Sequence, residues 1–379
     1  MPAFETDSMT DAEIMRDVLQ RIATGPTLSK DLSADDAKRA MRLVLEKKAD
    51  EVQAGIFLIA LRMKRETDDE LTGILEAINE GITPLQVQVE HLLTIVDPYD
   101  GYLRGLPLAP FLPAVLAACG LPALTHGVDA MGPKFGASHA MVLRAAGLDP
   151  AIDRQAAATQ LESAACGWAY LSQQQLAPEL AALTDLRTRI VKRPCLTTIE
   201  VAVRSLVPLS ASHLVTGFVH KPYPPIYAKL AADAGFASSI LVRGVEGGVV
   251  PSLSQAARYF TSEDGIDLVQ TDIEPADLGI TQDERAVPLP EHLSDDSIRS
   301  VKAPGNEFAR EIASHAAAAG LSALAGEQGA ARDSLIYAGA VMIRARGLSE
   351  SLAEAGDLIR GVLDNGEAER RFRAAAALS

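Results

Sequence analysis

Apolar positions at helical spacing dominate the first eighty residues. Ala37, Ala40, Met41, Val44 and Leu45 recur at intervals of three and four, behind Ser33 as an N-cap with Asp36 three positions on. In ADEVQAGIFLIALRMKR, Val52, Ile56, Ile59, Ala60 and Met63 define one apolar face. Thr67 and Glu70 form a capping box ahead of Leu71, Ile74, Leu75 and Ile78, and Gly81 offers a stop. Residues 10–81 are therefore expected to fold as a compact unit of short helices.

After Pro84 the pattern shifts to short apolar runs that end in Gly, Pro and polar residues. LLTIVD (92–97), PALTHG (122–127), HLVTGFVH (213–220) and SSILVRG (238–244) predict buried strands. PFLPAVLAACG (110–120) and YAKLAADAG (227–235) predict helices between them. Segment 150–195 interrupts this alternation with helix-prone sequence. Residues 252–300 are mixed, with YF and IDLVQTDI as strands, and the Ala-rich stretch 304–374 is helical. No internal repeat is found. The expected fold class is α/β: a small N-terminal helical domain (1–84, joined by helices from about 150–195) packed beside a larger domain (85–379) whose mainly parallel sheet is flanked by helices.

Ligands of open parallel sheets sit beyond the carboxyl ends of the strands. VDPYDGYLRG, THGVDAMGPKFG, FVHKPYPP and VRGVEGGV all fall there. Four polar loops converging on one cleft point to a small-molecule site.

Composition narrows the classes. The formal charge is −15 over 379 residues and the pI about 5.0. That balance disfavours sequence-independent nucleic-acid binding, where Lys and Arg contacts to phosphate dominate, although a local basic cleft is compatible with it. No run approaches the roughly 18 apolar residues of a membrane helix. The acidic N-terminus lacks the plan of a secretory leader, and Cys119, Cys166 and Cys195 are too scattered for a disulfide frame or a zinc knuckle. A reduced, cytoplasmic setting is expected.

Within this frame QAGIFLIALRMKRETDDEL (53–71), ACGLPALTHG, LRTRIVKRP (186–194) and RDSLIYAGAVMIRARGLSESLAEAGDLIRGVLDNGEAERRF (332–372) occur in order over some 320 residues. They resemble the entry helices, a strand ending in Lys-His-Gly-Asn, an acceptor-binding arginine segment and the closing helices of the anthranilate phosphoribosyltransferase and pyrimidine nucleoside phosphorylase superfamily, glycosyltransferase family 3. The resemblance implies a homodimer that binds phosphoribosyl pyrophosphate between its domains and transfers phosphoribose to an acceptor nitrogen. Such chemistry needs backbone N–H groups around pyrophosphate, a metal, and stabilisation of positive charge at the sugar carbon.

The motifs depart from the family pattern at each of these points. The family's Gly-Thr-Gly-Gly-Asp loop is replaced by DPYDGYLRG, leaving Asp100, Gly101 and Arg104 to meet the pyrophosphate or simply to form a β-turn. In LTHGVDAMGPKFGAS, His126, Gly127, Lys134 and Gly136 keep their places, while the neighbouring Lys, Asn and Ser-Ser are replaced by Thr125, Val128 and Gly132-Pro133. The Asp-Glu pair expected to hold Mg²⁺ is replaced by Gly248-Val249, which leaves Glu246 as the one carboxylate of GVEGGVVPS, a metal ligand or a backbone cap. The resemblance implies that Arg187, with Arg193 six residues on, would hold an acceptor carboxylate or phosphate, and His220, Lys221 and Tyr223 are candidates for a phosphate or a base.

The combination resembles the divergent TrpD2-like branch of the superfamily, some members of which are thought to bind nucleic acid. Two readings follow. One is a phosphoribosyltransferase acting on a small nitrogenous acceptor, and the other is a non-catalytic binder of nucleic acid or a phosphorylated metabolite. A nucleoside phosphorylase-like activity is a weaker third.

Overall fold

The computed structural model describes residues 9–25, 27–294 and 306–378. Four helices open the chain: α1 (Asp11–Ile22), α2 (Ala34–Leu45), α3 (Glu51–Lys64) and α4 (Asp68–Glu80). Their starts follow the expected caps. The Ser33 hydroxyl accepts from the Asp36 N–H, and Thr67 and Glu70 form a reciprocal capping box. Glu70 does more than cap, because its buried carboxylate also accepts from the Leu32 N–H at 2.8 Å and lies 2.8 Å from Lys64 Nζ.

Helix α3 turns the other way from the sequence expectation. Ala54, Phe57, Leu58 and Leu61 are its buried residues, whereas Val52 and Met63 are 69% and 77% exposed. The helix is apolar on two sides, so helical periodicity is satisfied by two interleaved sets. Only packing against its neighbours chooses between them.

Strands and helices then alternate. The strands are β1 (Leu85–Gln86), β2 (His91–Val96), β3 (Ala123–Gly127), β4 (Trp168–Ser172), β5 (Leu206–Val207), β6 (Ala211–Gly217), β7 (Ser238–Val242), β8 (Ala257–Ser262) and β9 (Val269–Ile273). Seven form one sheet in the order β4-β3-β2-β6-β7-β8-β9; the first five run parallel, and β8 and β9 are antiparallel additions at one edge. β1 and β5 pair separately. Connecting helices are α5 (Leu112–Ala118), α6 (His139–Ala145), α7 (Arg154–Glu162), α8 (Gln173–Leu176), α9 (Pro178–Ala181), α10 (Thr184–Ile190), α11 (Leu196–Ile199) and α12 (Tyr223–Asp233). The closing helices are α13 (Glu307–Leu324), α14 (Ala330–Ala345), α15 (Leu352–Asp364) and α16 (Glu367–Ala377).

The parallel strands are buried on both faces, which is why they read as continuous apolar runs. On β2, Leu93 and Ile95 join the core beneath α5 and α13–α16. Leu92 and Val96 join the core shared with α1–α4. The small helical domain thus rests on one face of the sheet and the closing helices on the other.

Two segments differ from expectation. Segment 150–195 is not an all-helical interruption, because Trp168–Ser172 forms the edge strand β4 against β3. α12 begins at Tyr223 rather than after the prolines, with Pro in its first turn, where the missing N–H costs no hydrogen bond. The helical expectation for 304–305 and part of the mixed segment, 295–300, lie outside the described residues.

Candidate functional site between the helical bundle and the sheet

The carboxyl ends of β2, β3, β6 and β7 converge beside α3. At the end of β2, Asp97 is buried and saturated. It accepts from the Tyr102 hydroxyl at 2.6 Å, from the Val249 N–H at 2.9 Å and from His139 Nε2 at 3.0 Å. Burial alone would raise its pKa, but His139, Tyr102 and the Val249 N–H outweigh it and hold the carboxyl below its usual range. Asp97 ties the loops after β2, β3 and β7 into one frame.

The next turn crosses the loop after β3 at backbone contact. Tyr102 bridges to Ala137, and the Gly136 N–H donates to the Asp100 carbonyl at 2.8 Å. A Cβ on Gly101 would lie 2.5 Å from the Gly136 carbonyl oxygen, and one on Gly136 would lie 2.5 Å from that of Tyr102. Gly101 also has φ +75°. Both positions therefore require glycine for steric reasons. The crossing directs the buried Asp100 carboxylate to Arg193, whose Nε lies 3.0 Å away. The Arg193 side chain is half exposed.

The loop after β7 carries an anion into the same place. Glu246 accepts from the Leu103 N–H at 3.2 Å and the Arg104 N–H at 2.8 Å, and Lys134 Nζ lies 2.6 Å from its Oε2. Its side chain is only 7% exposed, and its backbone is held at φ +53°, a conformation unfavourable for a residue with a Cβ. Two backbone donors and an ammonium converging on two oxygens make an anion hole, and the protein's own carboxylate fills it.

Beside this hole lies a cleft of about 170 Å³, lined by Arg62, Asp100, Arg193, Thr216, His220 and Tyr223 among others. Arg62 comes from α3 and donates to the Tyr223 hydroxyl at 2.6 Å, so the cleft is walled by both domains. A second cavity of about 570 Å³ shares Val219 and Glu246 with the first and is lined by Arg104, Arg243 and Arg285. Glu246 stands in the partition between them.

Of the residues singled out in the sequence, Asp100, Arg193, His220, Tyr223 and Glu246 line the cleft. Gly101 and Gly136 form the backbone crossing beneath Asp100, Lys134 meets Glu246, and Arg104 lines the second cavity. Lys221 is exposed on the following turn. Arg187 and His126 are buried away from the cleft. Arg187 forks onto Glu200 at 2.6 and 2.9 Å, so this guanidinium is engaged inside the fold, and Arg193 is the one of the two that lines the cleft.

His126 meets the Tyr99 hydroxyl through Nδ1, and its Nε2 has no partner among the described residues. Burial, with His139 nearby, lowers its pKa to about 3, which keeps the ring neutral. Gly127 is buried beside Tyr170. Sequence reasoning missed Arg62, His139 and the Tyr102–Asp97 pair. Arg62 lies inside a helix whose face was misassigned, and His139 sits on a helix with no motif around it.

Comparison with known proteins agrees with this architecture. Residues 16–80 match the helical bundle domain of the glycosyl transferase family. An uncharacterized protein of Aquifex aeolicus is 28% identical over 239 residues, 62% of this chain and 71% of that protein. The anthranilate phosphoribosyltransferase of Solibacter usitatus is 28% identical over 360 residues, covering 91% and 94% of the two chains. The fold matches that of the Saccharomyces cerevisiae anthranilate phosphoribosyltransferase in complex with PRPP and Mg, with a TM-score of 0.76 over 97% of this chain and 98% of that one, at 14% identity. The chain thus resembles the anthranilate phosphoribosyltransferases in sequence and fold, and its first helices match the glycosyl transferase helical bundle domain.

Proposed function

We propose that this phosphoribosyltransferase-like protein takes a phosphorylated pentose, with phosphoribosyl pyrophosphate as the prototype, in the cleft between the helical bundle and the sheet. The observation that carries the reading is the convergence of Arg62, Arg193 and His220, from two domains, on one opening beyond the strand ends. In this scheme Arg193 is the fork that meets a phosphate or an acceptor carboxylate. Asp100, on the same wall of the cleft, faces positive charge developing at the sugar carbon. Tyr223 offers its hydroxyl to the ribose.

A resident Mg²⁺ does not fit the carboxylates present. Asp97 has three donors, Asp100 is held by Arg193, and Glu246 is held by Lys134 and two N–H groups.

The filled anion hole favours a second reading, a binder of phosphorylated metabolites that does not expel pyrophosphate. Nucleic acid as the ligand is disfavoured by the net charge of −15. Thermal unfolding with phosphoribosyl pyrophosphate tests the first reading. Ligand at about one hundred times its dissociation constant adds roughly 2.7 kcal/mol and raises the midpoint, while no response at millimolar concentration rejects it. A salt-sensitive rise with short single-stranded DNA alone favours nucleic-acid binding.

The reading includes a cytoplasmic homodimer joined through α3, whose Val52, Ile56 and Met63 are exposed. Met63→Glu should then sediment as a monomer, and an unchanged dimer would place the interface elsewhere.

A further inference from the structure

A separate cluster of ligating side chains lies outside the cleft. His292 sits in the one-turn helix Glu291–Leu293, with its Nε2 2.6 Å from Glu311 Oε1. Glu311 and His315 are four residues apart on α13 and project from one face. The rings of His292 and His315 meet edge to face with centroids 6.0 Å apart. One ligand atom from each of the three lies within 4.8 Å of the other two. We propose that His292, Glu311 and His315 form a binding site for a divalent transition-metal ion, with Zn²⁺ as the natural occupant.

The donor set decides the metal. Two imidazoles and one carboxylate suit Zn²⁺, Co²⁺ or Ni²⁺, whereas Mg²⁺ and Ca²⁺ require oxygen ligands throughout. Tetrahedral Zn²⁺ with bonds of about 2.0–2.1 Å needs ligand atoms roughly 3.3 Å apart. Rotation of these partly exposed side chains would open the 2.6 Å His292–Glu311 pair and draw the His315 imidazole in. The side chains of His292 and Glu311 are 60% and 43% exposed, so water can complete the fourth position. An exposed His–Glu pair contributes little by itself and gives no reason for a second imidazole to turn towards it.

The site also has a structural consequence. Pro288, Leu289 and Ser294, flanking His292 on the same segment, line the arginine-bearing cavity. A metal bridging His292 to α13 would fasten that wall to the closing helices. This is independent of what the interdomain cleft binds.

Metal-stripped full-length protein is titrated with Co²⁺, followed by its visible absorption, and with Zn²⁺, followed by calorimetry. The expected result is one ion per chain at this site, with affinity lowered at least about tenfold by either His292→Ala or His315→Ala, and by Glu311→Gln. All three positions are partly or fully exposed, so circular dichroism should show an unchanged fold. Zn²⁺ should slow amide exchange over 286–294 in the parent chain and not in His292→Ala. Absence of one-to-one binding in about a tenfold excess of metal overturns the site, as does undiminished binding by the variant carrying both His292→Ala and His315→Ala. Binding without amide protection overturns the fastening role.

Discussion

Removing the Glu246 carboxylate separates a filled anion hole from a metal ligand. The hole consists of the Leu103 and Arg104 N–H groups at 3.2 and 2.8 Å and Lys134 at 2.6 Å. A phosphate group approaching these donors meets the existing carboxylate. At about 4 Å and an effective dielectric of about 20, the repulsion is roughly 4 kcal/mol per unit charge. Water penetration and side-chain movement reduce that figure, leaving on the order of 1.4–2.8 kcal/mol, or about 10- to 100-fold in affinity. Glu246→Ala should therefore bind inorganic pyrophosphate about 10- to 100-fold more tightly than the parent in Mg²⁺-free calorimetry.

Glu246→Gly should do the same while also relieving the left-handed backbone at φ +53°. The Ala variant should lose roughly 1–3 kcal/mol of stability in urea, because the hole is left unfilled, and pyrophosphate should restore part of it. Weakened or unchanged pyrophosphate binding in both variants would refute the plug. If Glu246 instead held a metal, its removal would abolish Mg²⁺-dependent binding, which is the opposite sign.

Further predictions concern the frame and its pH response. Arg187→Ala should destabilise the fold by about 3–5 kcal/mol in denaturant, because it strands the buried Glu200 carboxylate. Arg193→Ala, at a half-exposed position over the buried Asp100 carboxylate, should also lower stability but, unlike Arg187→Ala, should weaken ligand affinity; unchanged affinity would refute the division of roles. Gly136→Ala places a Cβ 2.5 Å from the Tyr102 carbonyl oxygen and should visibly lower the melting midpoint, while an unchanged midpoint would mean that the crossing can open freely. His126, lowered to about 3 by burial, takes up a proton in the unfolded chain below about pH 6.5 but not in the folded one until near pH 3. Stability should therefore fall as pH drops from 6.5 towards 3, by up to a few kcal/mol from this residue. His126→Asn should flatten that slope in part, since His213, lowered to about 4, contributes with the same sign. An unaltered slope would contradict the assignment.

The architecture was readable because the parallel strands are buried on both faces and end in Gly and Pro, and because Ser33 and Thr67 cap their helices through local hydrogen bonds. Local chemistry of that kind survives in sequence. In sequence Trp168–Ser172 reads as part of a helical segment because its strand character depends on pairing with β3, a non-local contact. The exposed face of α3 was misassigned for the same reason.

At the site, the loops were legible as strand-end loops, but the partners of their side chains were not. Arg187 and Arg193 look alike in LRTRIVKRP. Only the fold places one against Glu200 and the other against Asp100. Glu246 likewise reads as a lone carboxylate in a glycine-rich loop. Its role depends on Leu103, Arg104 and Lys134, more than a hundred residues away in the chain.

The central claim, that the interdomain cleft receives a phosphorylated pentose, is tested most directly by calorimetric titration of phosphoribosyl pyrophosphate into the parent protein and into Arg62→Ala and Arg193→Ala. Saturable one-to-one binding to the parent, weakened at least about tenfold in each variant, is the predicted result. No binding to the parent at millimolar ligand, or binding that neither arginine affects, would contradict it.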